Sequence, residues 1–174
     1  YEKGLGNLDG IKSVYNMAVR IQVLIGIITL VLLEVIGIWY INSKMVLPLD
    51  RLYAANWVFQ FSALSLLLVI LQIPYSAAVV SNERMNYYAF VGICDALLKL
   101  LIAFALPYAT SDKLILYGFL ILCISIFNFL MYFIYSRVHF KELRLVKGFN
   151  KDIFIKLMSF SGWNIFDAFA FVIQ

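Results

Sequence analysis

Asp95 and Lys99 stand four residues apart in CDALLK, inside an otherwise apolar stretch. That spacing puts both on one face of a helix, acid before base, the order that favours pairing. A charge in hydrocarbon costs at least ~2.5–3.5 kcal/mol at a helix centre, so each such residue calls for a physical reason. Two readings fit the pair: a neutralised structural bridge between helices, or a hydrated cavity in which Lys99 offers its charge to an anionic substrate. Glu34 sits alone in IGIITLVLLEVIGIW. A carboxyl group there suits either coupling to a proton or sodium ion, or a neutral acid bonded to a neighbouring helix. Asp167, with Asn164 beside it in the last apolar run, carries the same two readings. Gln72, Gln60 and Asn128 are amides in apolar stretches, able to line a cavity or to join helices. Pro74, in LQIPYSAA, lacks a backbone donor and is expected to kink its helix. Interrupted helices recur at transporter sites, although many kinks serve packing alone.

Other chemistry has little to stand on. The glycines of GLGNLDG miss the phosphate-binding GxGxxG spacing by one residue and follow no strand pattern. HExxH, GxSxG and an acidic pair in a loop are all missing from the sequence. Cys94 and Cys123 fall within apolar runs, which gives no disulfide framework and no metal site. His139, just past the end of an apolar run, reads as an interfacial residue rather than a proton relay. No catalytic residue, metal or cofactor is therefore expected.

The elements that hold these residues follow from composition. Of the 174 residues 64% are hydrophobic and 14% charged, with a mean hydropathy of +0.91. A soluble domain runs at about 45–50% apolar. In lipid only helices and closed barrels satisfy the backbone, and the long uninterrupted apolar runs exclude the short alternating strands of a barrel. The fold class is all-α, a polytopic transmembrane bundle. A span needs roughly 20 apolar residues. Four candidates run over 16–41, 54–80, 87–108 and 114–135, and a fifth starts near Ile153 and is cut short at Gln174. The chain opens on Tyr1 rather than Met and reads as an excerpt of a longer protein.

Basic residues orient it. With the N-terminus inside, Lys3, Lys12, Arg20, Arg84, Arg137, Lys141, Arg144, Lys147, Lys151 and Lys156 lie on the inner side. Lys44, Arg51 and Lys113 lie on the outer side, an asymmetry of ten to three. Trp39 and Tyr40, Tyr87 and Tyr88, and Tyr132 and Tyr135 fall near span ends, where aromatic rings favour the headgroup level. The net charge of +4 reflects this asymmetry and gives no reason to expect nucleic acid.

Three segments together resemble the polysaccharide exporters, relatives of multidrug transporters of the MATE type and of lipid II flippases. EKGLGNLDGIKSVYNMA is similar to their inner loop between helices two and three. LQIPYSAAVVSNERMNYYAFVGICDALLKLLIAFAL resembles their helix four to five hairpin, and FSGWNIFDAFAFVIQ the opening of helix seven. The resemblance implies helices three to seven of a two-lobed, alternating-access transporter in the bacterial inner membrane. Residues 1–140 would belong to the N-terminal lobe, 141–152 to a basic cytoplasmic linker, and 153–174 to the start of the C-terminal lobe. It also implies a polyprenyl-diphosphate-linked oligosaccharide as substrate for O-antigen or capsule synthesis, polysaccharide assembly proteins as partners, and a proton or sodium ion for coupling. Lys99, Asp95, Gln72 and Asn128 would then face the substrate cavity, and Glu34 and Asp167 would serve the ion. A multidrug exporter would share the fold and use the acids instead. A membrane-embedded polymerase or glycosyltransferase needs long outer loops, and NSKMVLPLDRLY and ATSDK are short.

Overall fold

The computed structural model describes residues 8–45, 48–109 and 112–140, and five further positions between Lys151 and Ser159. They are almost wholly helical, with no strand among the described residues. The first rod starts at Leu8, well before the expected Asn16. Helix α1 (Leu8–Leu32) passes into a π-helical turn at Leu33–Gly37 and then into α2 (Ile38–Ser43). The backbone at Leu32, Gly37 and Ile38 stays in the right-handed helical region, so the rod is continuous. The polar approach is helical because it has partners of its own. Asn16 is buried and donates to the Lys12 carbonyl at 2.8 Å, and Met17 is almost fully covered.

Pro48 starts the next helix. Its extended ψ of 142° turns the chain, and its carbonyl accepts from the Arg51 and Leu52 amides. Helix α3 (Leu49–Ser81) then runs for 33 residues, through the buried Pro74 without interruption. The side chain of Asn82 ends it by donating to the Ala78 carbonyl at 2.8 Å. Glu83 adopts a left-handed φ of 58°, which lets the chain reverse within a few residues into α4 (Met85–Ala105). A 3-10 turn at Leu106–Tyr108, containing Pro107, closes α4. Asp112 caps α5 (Lys113–His139) by accepting the Leu114 amide at 2.9 Å.

Four segments are long and apolar enough to cross a membrane: Gly10–Ser43, Arg51–Ser81, Met85–Tyr108 and Lys113–His139. The longest, 34 residues, extends roughly 51 Å at 1.5 Å per residue, well beyond the ~30 Å of a hydrocarbon core. The chain is a polytopic helical membrane protein. Of the fifth expected span, Ile153, Phe154 and Ile155 are helical. Asn164 and Asp167 lie outside the described residues.

The helices alternate in direction, and α3 is the hub. It packs along α5 and α1 and touches α4, while α4 leans chiefly on α5. About a third of the α3 span is buried, against about a tenth of the first span and of α4. Leu24, Ile27, Ile28, Val31, Phe90, Leu97, Leu101 and Phe104 are left exposed, apolar faces suited to lipid or to further helices. The best-packed region lies where the start of α1, the end of α3, the start of α4 and the end of α5 meet. Tyr75, Val79, Val91 and Tyr132 form its centre. Around it Tyr87 stacks on Tyr135 at 3.7 Å and Tyr135 on His139 at 4.1 Å. Tyr75 meets Tyr15, Phe129 and Phe133 edge-on.

Candidate functional site

The intramembrane ion pair forms as the spacing predicts. Lys99 Nζ lies 2.8 Å from Asp95 Oδ2 on one face of α4. Sequence spacing could not reveal the third member. Asn128 of α5 donates from Nδ2 to Asp95 Oδ1 at 2.6 Å, so each carboxylate oxygen has its own donor. A short bond to a charged acceptor is among the stronger kinds, and here it also ties α4 to α5. At 1.5 Å per residue Asp95 and Lys99 lie roughly 15 and 21 Å along α4 from Met85, with Tyr108 roughly 14 Å beyond Lys99. Both are therefore well inside the span.

The two charges are not equally placed. The Asp95 side chain is 24% exposed and turned toward α5, whereas that of Lys99 is 54% exposed. The Lys99 side chain is thus the more open of the two, tethered to a carboxylate that is better covered. Asn128 Oδ1 is buried and has no hydrogen-bond partner among the described residues. A buried unpaired acceptor costs about 1–3 kcal/mol, a penalty set against the bond that Nδ2 makes to a charge. The reverse amide orientation would face Oδ1 against the carboxylate, which is worse.

Glu34 does not stand alone, as its sequence setting suggests. Gln60 of α3 donates from Nε2 to Glu34 Oε2 at 3.0 Å, and both side chains are half-buried. Glu34 lies in the π-helical turn, a wide turn frequent at functional sites. One turn on, Gly37 meets the Phe59 ring so closely that a Cβ at this position would overlap it. Helices α1 and α3 are thereby pressed together beside the acid.

Of the other residues singled out by sequence, Gln72 is half-buried on α3 and Pro74 is buried two residues later. Neither joins the Asp95–Lys99–Asn128 group through any hydrogen bond among the described residues. At the end of the bundle opposite the tyrosine cluster, Arg51 pairs with Asp112 at 3.2 Å and the Asn42 and Asn56 amides bond each other. These are exposed contacts between helix ends, of the kind worth little individually. Among the described residues no group of three His, Cys, Asp or Glu side chains could hold a metal ion. What the geometry offers is a half-open cation at depth in a membrane span and, separately, an acid–amide pair at the α1–α3 contact. No protein-family model, curated protein or solved structure matches the chain.

Proposed function

We propose that the chain is part of a transporter that moves polyprenyl-diphosphate-linked oligosaccharide across the bacterial inner membrane, with no chemistry done on the substrate. The carrying observation is Lys99: a basic side chain deep in a span, more than half exposed, paired with a better-covered carboxylate. Such a group is expensive unless water or an anion meets it. A lipid-linked diphosphate poses the complementary problem, since its charge must cross hydrocarbon while its prenyl tail stays in lipid. The resemblance of the three segments to polysaccharide exporters supports the same reading. The N-terminus would be cytoplasmic, as the ten-to-three distribution of basic residues suggests. Rocking of one lobe against another would give alternating access.

Deleting the gene should abolish surface polysaccharide and leave lipid-linked repeat units on the cytoplasmic face. Unchanged surface glycan in the deletion strain would refute the assignment. The Glu34–Gln60 pair favours a second reading, a cation-coupled multidrug exporter. Its signature is a deletion strain with normal glycan and raised sensitivity to cationic dyes.

A further inference from the structure

We propose that Asp95 is an internal counter-ion for Lys99, held in place by Asn128, so that an anionic ligand must out-compete a fixed carboxylate to take the ammonium. This rests on the reading of Lys99 as the group that meets the diphosphate. The asymmetry of the triad carries it. Asp95 is held twice, by Lys99 at Oδ2 and by Asn128 at Oδ1, and is the less exposed partner. Among the described residues Lys99 is held once, by Asp95, at the end of a flexible four-carbon stem, and its side chain is more than half exposed. When a competing anion arrives, the lysine moves and the aspartate stays.

Asn128 makes that division firm. Its donor is committed to Asp95 although, among the described residues, its own Oδ1 is left buried and unpaired. That bond keeps one carboxylate oxygen turned toward α5, away from Lys99, and limits the pair to a single contact. A singly charged phosphodiester offers the ammonium no more charge than Asp95 already does. A diphosphate offers twice as much and wins the exchange. Once the ligand leaves, Asp95 recaptures the lysine and the site returns to neutrality, so the empty transporter changes conformation without a bare charge.

The test is equilibrium binding of two soluble headgroup probes, inorganic pyrophosphate and dimethyl phosphate, to the purified full-length protein in lipid nanodiscs. Wild type should prefer pyrophosphate. Asp95→Asn should bind both probes at least about tenfold more tightly, with the preference for pyrophosphate kept, because a competing unit charge at contact distance has been removed. Asn128→Leu should act in the opposite sense, weakening pyrophosphate binding severalfold, because the freed carboxylate can close on Lys99 with both oxygens. Loss of binding in Lys99→Ala with no tightening in Asp95→Asn would overturn the counter-ion role and leave the reading of Lys99 standing. Full pyrophosphate binding by Lys99→Ala would overturn both. Should Asp95→Asn fail to fold, the weakening in Asn128→Leu decides the matter, and unchanged or tighter binding there counts against the proposal.

Discussion

Lys99 and Asp95 show how far a spacing rule reaches. Four residues apart on a helix, they had to share a face, and the 2.8 Å bridge follows from that. Their third partner, Asn128, is 33 residues away, and its role depends on the relative register of α4 and α5. No periodicity in one sequence contains that register. The same holds for Gln60, which meets Glu34 from 26 residues away. Removing one member of the charged pair strands the other in a span. Asp95→Ala and Lys99→Ala should therefore each cost about 3 kcal/mol or a corresponding loss of folded yield. The double variant should be no worse than either single one. Unfolding in graded detergent denaturant, run as a double-mutant cycle, measures the coupling directly. Additive losses would show that the two residues act independently.

At the scale of elements, the apolar runs marked the four described spans and a fifth that falls mostly outside the described residues, but not where the helices start or how they are wound. Helix α1 begins at Leu8 because Asn16 and Met17 pack into the bundle, a tertiary cause that hydropathy does not register. The π turn at Leu33–Gly37 was equally hidden, since one extra residue in a turn leaves an apolar run looking the same. Pro74 was legible as a lost donor, yet α3 continues through it. Two substitutions probe these elements. Gly37→Ala sets a methyl against the Phe59 ring and should destabilise by about 1–3 kcal/mol, with partial recovery when Phe59→Leu is added. Glu83→Gly removes a side chain from the left-handed region, where glycine is the easiest residue. It should leave thermal stability in detergent unchanged or raise it by up to about 1 kcal/mol. A clear loss of stability would show that the Glu83 side chain holds the α3–α4 turn by contacts of its own.

For the molecule as a whole, the alternation of helices puts residues 43–45, 109 and 112–113 at one end and 81–85 and 139–140 at the other. With the basic end inside, a cysteine at Ser43 should react with an impermeant maleimide in intact cells and one at Glu83 only after lysis. The reverse pattern would invert the orientation. The faces of α1 and α4 that remain apolar and open fit a body that continues into further helices or lipid, and Lys99 stands on one of those helices. The proposed transport depends on what Lys99 does there. Its most direct test is reconstitution of the full-length protein in vesicles with a fluorescent polyprenyl-diphosphate sugar, following transfer to the far leaflet by chemical quenching. Wild type should speed transfer well above protein-free vesicles, and Lys99→Ala should return it close to that background. Equal transfer by wild type and Lys99→Ala, or none above background by wild type, would contradict the account.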